Sequence, residues 1–262
     1  MKKTIMNLAI ASLAVVMATS CQKDNLGIGN GNEQYASVID VAYDGSTVVL
    51  ENNLRLALVT TSVADSADLQ ALITIKNDEK LARDVYSALN AKSSNNVFAN
   101  ISRSESRHLG AINILLAMYS PADIANTAAG VFTNPDVQKL YDNIIAVGNA
   151  SLADALKVGA TIEDLDIRDI TLLSSKTSNA NISLVFENLL KGSRNHLRAF
   201  SRQLSNLGIT YTPQYIDQAA YDQIISSPFE KGKQYRMNGN GMGNGNGVGK
   251  KGNGNDNGGC KI

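Results

Sequence analysis

The stretch from Phe98 to Tyr119, FANISRSESRHLGAINILLAMY, places ionisable side chains in the middle of an apolar helical seam. Stepping by alternating threes and fours picks out Phe98, Ile101, Glu105, His108, Ile112, Leu115 and Tyr119, the positions that face a partner helix. Glu105 and His108 therefore point into a core. A Glu-x-x-His pair at i, i+3 lies on one helical face, so both heads can reach one ion.

The same pattern recurs three times. One seam steps through Leu72, Ile75, Glu79, Ala82, Tyr86 and Leu89, and another through Leu152, Leu156, Gly159, Glu163, Asp166, Ile170 and Leu173. The last runs Ile182, Phe186, Leu189, Ser193, His196, Phe200 and Leu204. These seams predict helices over 66–92, 97–119, 151–175 and 180–206, with their polar interruptions at one level of an up-down arrangement. FANISRSESRHLGAI (98–112) also aligns without gaps on FENLLKGSRNHLRAF (186–200), and the two histidines of the chain fall on equivalent positions. The chain reads as a duplicated helix hairpin in an all-α fold, a four-helix bundle with a long crossover between its second and third helices. Ser193 stands where the first copy has Glu105.

The opening MKKTIMNLAIASLAVVMATSC has two lysines, an apolar run too short to span a bilayer, and small residues before Cys21. Residues 1–20 are expected to be a secretory signal. Cys21 resembles the lipidated residue of a bacterial lipoprotein, although Ala18 stands where such signals usually carry Leu. The expected location is the cell envelope, periplasm or surface, with membrane contact through the lipid.

Residues 21–64 are expected to form a linker, its first part a Gly/Asn spacer. Within it, 38–50 around Asp44-Gly45 reads as a hairpin, or 46–60 as a short helix. The bundle is expected over 65–232. Asp65 or Ser66 is expected to cap its first helix, Ser151 its third, and Pro135 to open a short helix over 135–147 within the crossover. Residues 233–262, dominated by Gly and Asn between Asn238 and Gly259, are expected to be disordered. Equal numbers of basic and acidic residues, 24 each, and no basic stripe argue against nucleic acid as a partner. The helical faces leave a homo-oligomer open.

The strings NDEKLARDVYSAL (77–89), GSRNHLRAF (192–200) and YTPQYIDQAAYDQII (211–225) resemble a bacterial ferritin-like domain family without an assigned function. The resemblance covers about residues 66–230 and implies a ferritin-like bundle with a buried di-metal site. Carried over residue by residue, the ligands are Glu79, Glu105, His108, Glu163 and His196. Carboxylate and imidazole together suit iron, manganese or zinc, with iron expected in a one- or two-ion centre. Glu79 is expected to bridge on the side of Glu105 and His108, a nearly complete set. Glu163 with His196 is the poorer half, and Asp166, one turn on, is its expected extra oxygen. Two functions follow: a metal-dependent oxidoreductase acting on iron(II), peroxide or oxygen, or a non-catalytic bundle for metal storage or partner binding.

Overall fold

The computed structural model describes residues 34–93, 95–120 and 128–237. The expected signal, Cys21, the Gly/Asn spacer and the tail from 238 onward lie outside the described residues. The described chain is mostly helical. Its four long helices are α2 (Ser66–Ser93), α3 (Asn96–Tyr119), α5 (Leu152–Ser174) and α6 (Ala180–Asn206), with shorter α1 (Glu51–Ala57), α4 (Pro135–Gly148) and α7 (Gln218–Ser226).

Polar side chains set the helix starts. Asp65 Oδ1 accepts from Asp68 N at 2.8 Å at the head of α2, and Asn95 caps α3 through Val97 N. Ser151 Oγ accepts from Asp154 N at 3.1 Å and donates to the Asp154 carboxylate at 2.7 Å, satisfying one free amide of α5. Pro135 follows the capping Asn134 of α4, where its missing N–H costs nothing.

The long helices close a ring of contacts, α2 on α3, α3 on α6, α6 on α5 and α5 on α2. Every seam position from Leu72 to Leu89 and from Ile182 to Leu204 is buried. On α5 the outermost position, Leu152, is 37 % exposed, so that seam starts one turn later. The apolar side chains divide into two clusters. One contains Tyr86, Phe98 and Phe200, whose rings lie 5.2–6.4 Å apart; the other is built on Leu54, Leu72, Ile112, Leu115 and Phe186.

Buried carboxylates pin the connections. Asp84 takes Lys80 Nζ at 2.5 Å and Gly130 N at 3.0 Å, holding the crossover to α2 just ahead of α4. Asp164 accepts from Tyr211 Oη and from the amides of Gln214, Tyr215 and Ile216, which fastens the chain after α6 onto α5.

The linker region holds both elements that its sequence left open. Strands β2 (Ile39–Val41) and β3 (Thr47–Val49) form an antiparallel hairpin, and α1 follows directly. Gly45 turns the hairpin with φ +89°; a Cβ there would lie 2.8 Å from Asn195 O, so the bare backbone lets the turn rest on α6. The sequence placed 234–237 in a disordered tail, but these residues form β4 (Gln234–Met237), paired with β1 (Gln34–Ser37). Backbone pairing with an incoming strand needs no apolar pattern, so composition could not reveal it. No described helix is long and apolar enough to cross a membrane.

Candidate metal centre

Glu79 from α2, Glu105 and His108 from α3, Glu163 from α5 and His196 from α6 meet in the layer between the two apolar clusters, none more than 2 % exposed. The imidazoles stack with ring centroids 5.3 Å apart and planes 19° from parallel. Their Nδ1 atoms face the carboxylates. His108 Nδ1 lies 3.2 Å from Glu79 Oε2 and 2.9 Å from Glu105 Oε2. His196 Nδ1 lies 2.8 Å from Glu105 Oε1 and 3.4 Å from Glu163 Oε2.

Two ligand atoms about 2.1 Å from one ion, at octahedral to tetrahedral angles, are roughly 3.0–3.4 Å apart, close to these spacings. The hydrogen bonding supports the same fit. Glu105 Oε1, Glu163 Oε2 and His196 Nδ1 are buried without a hydrogen-bond partner despite their proximity. Leaving such atoms unmade costs about 1–3 kcal/mol each. Close approach without hydrogen-bond geometry is what ligands show when they face a shared cation. Glu105, His108 and His196 each offer an atom within 4.8 Å of the others.

Protonation is contested inside the layer. Burial raises the Glu79 carboxyl to about 8, with His108 drawing it back, and raises Glu163 to about 7, with the charge of Glu105 adding to the rise. Burial also pushes Glu105 upward, but the two imidazoles outweigh it and hold this carboxyl well below its usual range. Burial lowers the histidines, yet the carboxylates prevail, leaving His108 well above its ordinary value and His196 at about 9. Without metal, the carboxylates thus favour a proton on each imidazole, and the imidazoles favour the anion of Glu105. A divalent cation would have to displace the Nδ1 protons.

Two expectations change. The carboxylate shared by both histidines is Glu105, not Glu79 or Glu163; each of those reaches one imidazole. The two halves are therefore nearly alike, and Ser193 does not impoverish one of them. Its hydroxyl is turned back to Leu189 O at 3.3 Å. Asp166 is 4 % exposed and feels the charges of Glu163 and Glu79, which together with burial raise its carboxyl well above the usual range. It makes no hydrogen bond to any of the five, so it stands beside the cluster as a neighbouring carboxyl whose burial favours the protonated form.

Three further residues shape the layer. Tyr86 Oη donates to Glu163 Oε1 at 2.7 Å, whereas Tyr119, on a comparable seam position, reaches only Asn179 and Asn181. Gly192 lies against His108, and a Cβ there would sit 2.4 Å from His108 Cε1. A glycine in mid-helix was the available sequence signal. Thr47 Oγ1, from the hairpin, lies 2.9 Å from His108 Nε2 and 3.2 Å from His196 Nε2. No periodicity marks a residue in so short a strand.

Residues 68–228 match the family model described as Uncharacterized protein domain (DUF2202). The chain belongs to the DUF2202 family. The chain is also similar to the uncharacterized protein MJ0754 of Methanocaldococcus jannaschii, 50 % identical over 164 residues, which span 62 % of this chain and 89 % of that protein. The crystal structure of hypothetical protein MJ0754 from Methanococcus jannaschii DSM 2661 matches with a TM-score of 0.63 and 47 % identity, covering 66 % of this chain and 99 % of that one. All five clustered residues lie inside the DUF2202 match, and Thr47 lies outside it.

Proposed function

We propose that this DUF2202 protein is a ferritin-like four-helix bundle that binds one or two transition-metal ions, iron foremost, between Glu79, Glu105, His108, Glu163 and His196. The observation that carries the reading is the convergence of three buried atoms without a hydrogen-bond partner, Glu105 Oε1, Glu163 Oε2 and His196 Nδ1, which approach one another as ion pairs at 2.8 and 3.4 Å beside a second imidazole. Buried polar groups in folded proteins are satisfied by some partner. A metal in this donor set would supply redox chemistry toward iron(II), peroxide or oxygen. The protein's own part would be to hold the imidazoles parallel, keep the layer dry and let Glu105 neutralise both halves.

The test is metal analysis of the purified protein, then stopped-flow absorbance on mixing with iron(II) and oxygen or peroxide. Bound metal in the parent, lost in Glu105→Ala because that carboxylate serves both halves, supports the reading. Failure to take up iron, manganese or zinc overturns it. Uptake without any oxidation would favour storage or partner binding, a reading supported by a cluster whose own ion pairs neutralise it in the absence of metal.

The location is part of the same proposal: export by the segment 1–20 and a lipid at Cys21, the protein held at the cell envelope on its Gly/Asn spacer. Cys21→Ser is expected to move the protein from the membrane to the soluble fraction. Unchanged membrane association of that variant would defeat the anchor.

A further inference from the structure

The β2–β3 hairpin, outside the family match, completes the layer from its open side. Its residue Thr47 is 2 % exposed and reaches the Nε2 atoms of both histidines, opposite the Nδ1 atoms that face the carboxylates. Three contacts hold it there. Thr47 N donates to Ser104 Oγ at 2.8 Å, and Asn100 Nδ2 donates to Asp44 Oδ2 at 2.5 Å, so α3 grips the hairpin at two points. Gly45 rests on α6, while Leu50 N donates to Val38 O at 2.9 Å and closes the hairpin on itself. Beyond Thr47 lies a surface cleft of about 400 Å³, walled by Arg103 and Arg107, with Ser104 and Thr47 at its lining. Thr47 thus separates the histidines from solvent.

A hydroxyl oxygen has two lone pairs and can accept from two donors at once. A proton kept on each Nε2 then leaves the Nδ1 atoms as the ones that can bind an ion once their own protons are displaced. Which nitrogen of a histidine binds metal is set by the bond the other nitrogen makes. We propose that Thr47 is a positioning residue: the added hairpin accepts Nε2–H from both His108 and His196, fixes the two rings, and directs both Nδ1 atoms toward the ion. The metal-directing part rests on the proposed metal-binding reading. The double acceptance by Thr47 does not.

The alternative hydrogen-bond scheme, in which Thr47 donates to one ring and accepts from the other, leaves one Nε2 without a proton. Long-range proton–nitrogen correlation spectra of the metal-free protein separate the two schemes, and the chain has only two histidines to assign. The parent is expected to show two slowly exchanging Nε2–H signals. Thr47→Val, which keeps the branched shape of a strand residue, is expected to lose that protection at both rings, and Thr47→Ser to retain it. Cobalt(II) titration followed by visible absorbance is expected to give 10–100-fold weaker binding in Thr47→Val and near-parent binding in Thr47→Ser, the usual scale for losing a ligand's outer hydrogen bond. A single Nε2–H signal in the parent overturns the proposal whether or not the Val variant folds. So do two signals and a cobalt affinity that Thr47→Val leaves unchanged. A parent that binds no cobalt but shows Thr47-dependent Nε2–H signals defeats the metal reading and keeps the double acceptance.

Discussion

Gly192 sits in the middle of α6, where alanine would be favoured by about 1 kcal/mol, because the His108 ring occupies the place of a side chain. Gly192→Ala sets that gain against overpacking of about 1–3 kcal/mol, since a Cβ 2.4 Å from Cε1 moves a ring that Glu79, Glu105 and Thr47 all hold. The expected outcome is a small loss of stability in urea unfolding with a much larger loss of metal affinity. A variant that is more stable and binds metal as the parent does would show that the imidazole has room to move. At this scale the sequence was legible where spacing alone decides which face a side chain takes, as for Glu79, Glu105, His108, Glu163 and His196. It was silent on where a carboxylate swings within its rotamers. Glu105 could be read as a ligand, therefore, but not as the one shared by both histidines.

Among the elements, the long helices were readable to within one or two residues because apolar period, capping side chains and glycine or proline stops agree with one another. The hairpin was readable only as one of two alternatives and β4 not at all, since strands of three or four residues carry too few alternations to be distinguished from loop. Glu230, after α7, shows what such connecting residues do. It takes two bonds from Arg194, at 2.6 and 2.5 Å, and one from Arg198 at 3.0 Å, tying the C-terminal segment to α6. Burial pushes its carboxyl up, but the two guanidinium groups outweigh this and leave it below its ordinary value. A carboxyl lowered by folding adds stability above its unfolded pKa and loses that contribution as the pH falls through the folded one. Glu230→Gln is thus expected to lower the melting temperature near neutral pH and to converge on the parent as the solution is acidified below about pH 4. A gap between the two proteins that stays constant across that range would mean the tie is not ionic.

For the whole molecule, the polar layer divides the apolar interior into two clusters that could each pack in more than one way. Leu, Ile and Phe recur along every seam, so one long helix displaced by a turn, about 5.4 Å, would still find apolar neighbours almost everywhere. It would not find them at Glu79, Glu105 or Glu163, which would then lie against Ile101, Ile112 or Phe186 with nothing to satisfy them, at a cost of several kcal/mol. Five residues that occupy one level are in this respect an axial register mark, comparable to a single buried asparagine in a coiled coil. Replacing all five by apolar side chains of similar volume is expected to give a chain that is as helical and at least as resistant to urea. It would melt with low cooperativity and give broadened methyl resonances, because several alignments of the four helices become equivalent. Sharp resonances in that variant would assign the alignment to the connections instead. If they broaden, the charges that make this interior costly are what allow only one way of assembling it.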